Sequence, residues 1–447
     1  MRKAIIHANI VLPEGLFPNG VCCFNDGVID YIGNAINGNV DEIVDANGAY
    51  LLPGFIDIHC HGALGLDFTD ATCDEMQKIA AFHLSHGTTT LVATTMTAAW
   101  PDLYQALDNM AALFKTGSQL TIHGTHMEGP WFNPAQCGAQ DTSAMDTPDP
   151  EKLRILHEKY PFIERVSAAP ELPNGYSFGD MGQALGIVVS AGHTDAEFDH
   201  IVTAADHGYT LMTHLYSGMK LTERKNMYRV AGAVEGGLYD DRLYVELIAD
   251  GKHLPVSLLK MVHKFKGTDK VCLITDATRG AGLPEGTEFY SLKDPTRMEY
   301  YIEDGVSKLP DGTGFAGSIA TTDRLLRVMH RDAGIDLVSV SRMMSGVPAK
   351  IMGYTDRGSI EIGKRADFVL MNQNLDVITV IFGGKKYESQ CIPNHTRDGR
   401  RCRKAGSRSS EQAYRCWRKP PSAVVHRYVS VRFLRESGKG KCRLEQG

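Results

Sequence analysis

No run of apolar residues in this chain approaches the roughly 20 needed to cross a bilayer. The opening stretch, MRKAIIHANIVLPEG, turns polar too soon for a secretory signal. No GxGxxG follows an early strand-like run, no Walker loop occurs, and no Ser or Cys sits in a nucleophile elbow. The usual signatures of a dinucleotide-binding sheet, a P-loop enzyme and a serine or cysteine hydrolase are therefore missing. The 10 cysteines are scattered without a disulfide framework spacing, so the expected setting is reduced and cytoplasmic. No short-period repeat is visible.

What is present is ordinary globular composition, 43% hydrophobic and 22% charged over 447 residues. That length suits two or three domains, or one large barrel with an accessory domain. Charge is unevenly spread. Residues 389–447 hold 15 Lys and Arg against 4 Asp and Glu, a net of +11, while the rest of the chain carries 32 against 49, a net of −17. The body and the tail differ in kind.

The first 52 residues read as short strands punctuated by turn residues such as Asn25-Asp26-Gly27 and Asn47-Gly48. A second strand-like patch covers 358–387. One small β-sandwich domain built from both chain ends, residues 1–52 and 355–388, is the simplest reading. Between them, apolar runs of strand length recur at 55–58, 90–95, 120–127, 165–169, 187–190, 210–213, 244–249 and 271–275. Helix-like segments such as DPEKLRILHEKY separate most of them. Continuous apolar strands alternating with amphipathic helices indicate a parallel sheet covered on both faces. Eight such units indicate a (β/α)8 TIM-like barrel, here residues 53–354; an open doubly wound sheet is the alternative.

The residues that follow these runs carry the chemistry. The first run leads into His59-Cys60-His61, and strand alternation points both histidines to one side with Cys60 opposite. Later runs lead to Glu128, His193, His214, His253 and Asp276. In a barrel those ends share one rim, where active sites form. Glu128, His193 and His214 make a donor set suited to Zn²⁺ or Fe²⁺ with room for a water. Asp276 is then the natural acid/base for metal-assisted hydrolysis. His83, His86, His157, His200 and His207 fall in helix-like segments and read as packing or surface residues. His126 shares a strand face with Glu128 and reads equally as a support for it or as core. Cys137 reads as an incidental rim-loop thiol.

The motifs PGFIDIHCHG, HMEGPW, SAGHTDA, THLYSGM, ADGKHLP and LITDAT, spread over residues 1–387, resemble the N-acetylglucosamine-6-phosphate deacetylases of the amidohydrolase superfamily. The resemblance implies hydrolysis of the N-acetyl group of a phosphorylated amino sugar. It implies Glu128, His193 and His214 as metal ligands, His59 and His61 as ligands of a second ion bridged by the glutamate, and Asp276 as general acid/base. It places His253, Ser217, Gly218, Ala139, Phe315, Ala316 and Gly317 at the sugar, and Arg224, Lys225 or Arg229 at the phosphate, with Lys225 chosen. It also implies a homodimer and one or two ions per subunit. Many members read HLYNAM where this chain reads HLYSGM. Another amidase or deaminase of the superfamily is the nearest alternative. The fourth run, RVSAAPEL, lacks the lysine with which cyclic amidases bridge two metals. A protein that binds nucleic acid through its basic tail is the alternative of another class; residues 389–447 are instead expected to be disordered or out of frame.

Overall fold

The computed structural model describes residues 1–117, 120–293 and 299–387. The basic run 389–447, and every expectation attached to it, lies outside the described residues.

Residues 2–53 and 368–387 build one eight-stranded sheet. Its strands are β1 (Arg2–Leu12), β2 (Gly15–Asn25), β3 (Val28–Gly33), β4 (Glu42–Asp45) and β5 (Tyr50–Pro53) from the start of the chain. The central strands have parallel partners as well as antiparallel ones: β1 pairs antiparallel with β2 but parallel with β4 and β5. The join between the two ends is antiparallel, Pro53 lying opposite Phe368 and Tyr50 opposite Met371. Alternating apolar residues of these strands, Ile5, Ile10, Phe24, Leu51 and Phe368 among them, form a buried core.

Eight further strands run parallel: β6 (Phe55–Cys60), β7 (Thr88–Thr95), β8 (Ile122–Glu128), β9 (Ile163–Ala168), β10 (Val188–Ala191), β11 (Tyr209–Met212), β12 (Tyr244–Ile248) and β13 (Val271–Ile274). Each corresponds to one of the eight apolar runs. They are adjacent in chain order from β6 to β13. Every residue of β6, β7 and β13 is buried, as a sheet covered on both faces requires. The first and last strands meet at their C-terminal ends. Asp276 N–H donates to His59 O at 2.9 Å, and His61 N–H donates to Ala277 O at 2.8 Å. The ring of strands thus closes at the residues expected to carry the chemistry. The sheet from the chain ends is completed by β14 (Phe368–Met371), β15 (Val377–Phe382) and β16 (Lys385–Tyr387).

The intervening helices are fixed by local signals. In α1 (Cys73–Ser85), Thr72 and Glu75 form a reciprocal capping box. The next, α2 (Trp100–Thr116), carries Pro101 in its first turn and ends on Gly117 at a φ of 65°. In α3 (Pro150–Lys159), the Asp149 side chain accepts from Glu151 N–H and Lys152 N–H. Leu103, Leu107, Leu153 and Leu156 of α2 and α3 then pack into the large core that surrounds the strands.

The pairing of β5 with β14 ties together residues more than 300 positions apart, and Phe368 opens it opposite Pro53, fully buried and edge-on to Phe24 at 5.6 Å. Phe368→Ala is expected to cost about 3–5 kcal/mol, the range for a buried aromatic truncation. Equilibrium denaturation measures it; a loss below about 1 kcal/mol is the cost of a peripheral site, not a core one.

Candidate metal centre

Three of the rim residues occupy backbone conformations that side chains seldom adopt. The φ angles of His193, His214 and Asp276 are +45°, +28° and +47°, each within two residues of a strand's end. Positive φ at a non-glycine residue costs on the order of 1–3 kcal/mol and collects at functional sites. Here the conformation ends the strand and turns the side chain toward the barrel axis.

The side chains converge. Glu128 Oε1 lies 2.8 Å from His214 Nε2, 3.3 Å from His193 Nε2 and 3.5 Å from His59 Nε2. Its other oxygen, Oε2, lies 3.1 Å from His61 Nε2. Asp276 Oδ1 lies 3.2 Å from His61 Nε2 and 3.4 Å from His59 Nε2, and those two ring nitrogens are 3.3 Å apart. All six side chains are buried. Burial pushes the Glu128 carboxyl up, but the surrounding histidines, His59 foremost, outweigh it and hold the group well below the usual range. Asp276 is likewise lowered against burial, by His59 and His61. Burial disfavours the charged form of His59, yet the Glu128 and Asp276 carboxylates raise its pKa to about 9.

Two groups among the described residues have ligand atoms close enough to share an ion: His59, Glu128 and His214, and His59, His61 and Asp276. Ring orientation is the sharper test of fit. The Nδ1 of His193 lies 2.9 Å from Gln136 O, and the Nδ1 of His59 lies 3.3 Å from Glu246 Oε2. Each Nδ1–H is therefore spent on an acceptor, which leaves the Nε2 lone pair facing the cluster. Metal-binding histidines are oriented in this way. Imidazole and carboxylate donors with this orientation fit a divalent metal of the zinc or iron type.

The cluster forms the floor of a cleft of about 240 Å³. Ala139, Ser217, Gly218, His253, Phe315, Ala316 and Gly317 all line it. His253 Nδ1 donates to Asp250 Oδ2 at 2.9 Å, and its ring packs on Phe315 with centroids 4.9 Å apart. The 315–317 segment is held against the end of the last strand by Ser318 N–H, which donates to Asp276 O at 2.8 Å. Gly218 accounts for one departure from HLYNAM: a Cβ there would stand 2.7 Å from His193 Nδ1, at a φ of +56°. Lys225 is the exception. It is not among the residues lining the cleft but lies in an exposed hairpin, Glu223–Lys225 paired with Tyr228–Val230, and reaches Glu197 at 3.5 Å. The spacing in the sequence put Lys225 near the rim, but the chain turns outward after Met219 and carries it into solvent.

Other outcomes follow from burial. Cys60 points away from the site, its Sγ 3.2 Å from His83 Nε2, and both residues are fully buried. Burial pulls His83 down to about 4, so this histidine is a neutral core residue. His126 lies edge-on to His59 at 4.7 Å and reaches Ser167 Oγ at 2.7 Å, which places it in the core beneath the cluster. Four contributors went unremarked in the sequence. Gln140 Nε2–H donates to Glu128 Oε2 at 2.7 Å while its Oε1 accepts from Thr97 N–H at 2.8 Å. Asp250 orients His253. Glu246 and Arg165 stand behind His59. For Arg165 and Glu246 a charged residue in an apolar run, as in RVSA and YVELI, was the available signal; Gln140 and Asp250 lie in loops that offered none.

Residues 50–387 match the amidohydrolase family. The N-acetylglucosamine-6-phosphate deacetylase of Lysinibacillus sphaericus is 32% identical over 365 residues, covering 80% of this chain and 91% of that protein. The Bacillus subtilis (strain 168) protein of the same name is 31% identical over 384 residues, covering 84% and 94%. A solved mutant N-acetyl-D-glucosamine-6-phosphate deacetylase from Mycobacterium smegmatis, in complex with N-acetyl-D-glucosamine-6-phosphate, superposes with a TM-score of 0.78 at 28% identity, covering 86% of this chain and 99% of that one.

Proposed function

The chain belongs to the amidohydrolase family, and on that premise we propose that it is a metal-dependent deacetylase converting N-acetylglucosamine 6-phosphate to glucosamine 6-phosphate and acetate. The observation that carries the reading is the meeting of Asp276 with the Glu128–histidine cluster on the floor of one cleft, in a chain of this ancestry. We assign two ions per subunit, of zinc or iron. Glu128, His193 and His214 would hold one; His59 and His61 would hold the second, beside a Glu128 carboxylate whose Oε2 lies nearest His61 and whose Oε1 lies near His59, His193 and His214.

A divalent metal bound there supplies Lewis acidity, lowering the pKa of a water toward about 7 and polarising the acyl oxygen. The chain's own residues do the rest. Asp276 is kept ionised by its neighbours, so it can accept the proton of the attacking water. It then delivers that proton to the departing amine nitrogen, the order that general acid–base catalysis requires. Gln140 holds one oxygen of Glu128 in place. His253, oriented by Asp250, and the Phe315–Gly317 segment form the wall against which the sugar lies. No described helix is long and apolar enough to cross a membrane. The described cysteines are free thiols, and a reduced, cytoplasmic setting is part of the proposal. The homodimer belongs to the same reading.

Three experiments test it. His193→Ala is expected to lose bound metal and nearly all activity; full metal content by elemental analysis would remove His193 from the ligand set. Asp276→Asn keeps the shape but cannot take a proton. It is expected to retain metal and lose kcat by about 10²–10⁴-fold, and a fall of less than tenfold with metal retained would mean another group is the base.

The third concerns phosphate. Outside its tail the chain carries a net charge of −17, so the long-range field repels a phosphorylated sugar and recognition has to be local. Arg224, Lys225 and Arg229 lie on the exposed hairpin that follows the His214 loop. A charge-assisted bond to phosphate is worth about 1.5–3 kcal/mol, or about ten- to a hundredfold in kcat/KM. N-acetylglucosamine without phosphate is therefore expected to be a much poorer substrate, and alanine at the true ligand should narrow that gap. Equal kcat/KM on both sugars in the wild type would refute phosphate selection. A preference untouched by all three variants would move the ligand elsewhere, to the partner subunit in a dimer.

A further inference from the structure

The interior of a (β/α)8 barrel is normally filled by layers of Val, Ile and Leu. Directly beneath the metal centre this barrel instead buries an ion pair, Arg165 of β9 with Glu246 of β12, both without solvent exposure. Arg165 also donates to Ile58 O at 3.0 Å and to Ser190 Oγ and Thr213 Oγ1 at 3.2 and 3.3 Å. Ser167 Oγ lies 2.9 Å from both of those hydroxyls and 2.7 Å from His126 Nε2. Removing two charges from water carries a penalty of several kcal/mol per ion, and apolar replacements of similar volume are often neutral or stabilising. Stability alone is a poor reason for this pair to exist.

Its geometry supplies another. One oxygen of Glu246, Oε1, is taken by Arg165 Nη1. The other, Oε2, faces the site: it accepts from His214 N–H at 3.1 Å and lies 3.3 Å from His59 Nδ1. We propose that Arg165 and Glu246 are a positioning pair that locks His59 in the Nδ1-protonated form, and so determine whether the His59–His61 site can hold its ion. A carboxylate is an acceptor at both oxygens. With Arg165 fixed on one side, the other side can only accept, so His59 has to donate from Nδ1 and keep its Nε2 lone pair for a metal. The inference rests on the two-ion reading above.

Glu246→Gln probes this with almost no change of shape. An amide has one acceptor and one donor end. Arg165 claims the acceptor, which turns the NH₂ toward His59 Nδ1 and forces the ring proton onto Nε2, where it blocks ligation. Removing the cation as well, in Arg165→Met with Glu246→Gln, frees the amide to reverse, so that its oxygen again accepts from His59 and from His214 N–H.

The readout is ions per chain, by elemental analysis of the full-length protein loaded with Zn²⁺ and dialysed, alongside a thermal melt. Wild type is expected to hold two ions, the Glu246→Gln variant one, and the double variant more than the single. Activity need not be measured. Two ions in wild type and two in Glu246→Gln overturn the positioning role alone. One ion in wild type overturns the two-ion reading, and the inference with it. Loss of both ions together in a folded Glu246→Gln variant overturns the inference too, since the pair would then support the whole centre rather than one histidine. Should the single variant not fold, the double variant decides: two ions support the pair's role, and one ion in that folded protein overturns it.

Discussion

The centre depends on burying two carboxylates against four imidazoles at the mouth of a parallel barrel. Isolated, a buried carboxylate would be expelled or neutralised. Here Glu128 touches His59, His61, His193 and His214, and Asp276 touches His59 and His61. The surrounding histidines outweigh burial and hold both carboxyls below their usual range, which favours the charged form. This is the condition a hydrolytic centre needs: an acceptor charged at neutral pH in a place where electrostatic effects are strong. It also explains why the barrel closes where it does. The backbone bonds from Asp276 N–H to His59 O and from His61 N–H to Ala277 O fix the two strands that bring the second acid to the histidine pair.

Three rings in the cluster and cleft are held through Nδ1. His193 is held by a backbone carbonyl, that of Gln136; His59 by a carboxylate, that of Glu246; and His253, higher in the cleft, by Asp250. In each case Nδ1 is occupied and Nε2 is the atom presented to the cleft or the cluster. Three different elements supply these partners: the loop after β8, strand β12 and the loop after it. The strain recorded at His193, His214 and Asp276 fits the same picture. Turning a side chain inward within two residues of a strand's end demands a rare φ, and the packing on either side has to overcome that cost.

Much of this was legible beforehand because barrel strands and their rim obey strong rules. Eight apolar runs gave eight strands, since a strand buried on both faces admits few polar residues, and polar residues at the run ends stood out against them. The HxH pair, Glu128, His193, His214 and Asp276 were visible for that reason. Gln140 was not, because its role depends on a loop folding back over Glu128, and no periodicity records a loop's path. The exposed position of Lys225 was hidden for the same reason: proximity along the chain to His214 says nothing about a hairpin that turns outward.

Arg165 and Glu246 were illegible in a different sense. Each interrupts an apolar run with a charge, which in isolation suggests a surface-facing or edge position. Only the closed barrel shows that the two runs face each other across the axis, where opposite charges can cancel. Once they do, the polar layer they anchor, with Ser167, Ser190, Thr213 and His126, separates the centre above from the apolar core around it. An apolar plug would fill the same volume, but it could not accept a hydrogen bond from His59 Nδ1. The chemistry at the rim therefore reaches one layer down into the barrel, and the departure from an all-apolar interior is set by the ring nitrogen that has to be satisfied from below.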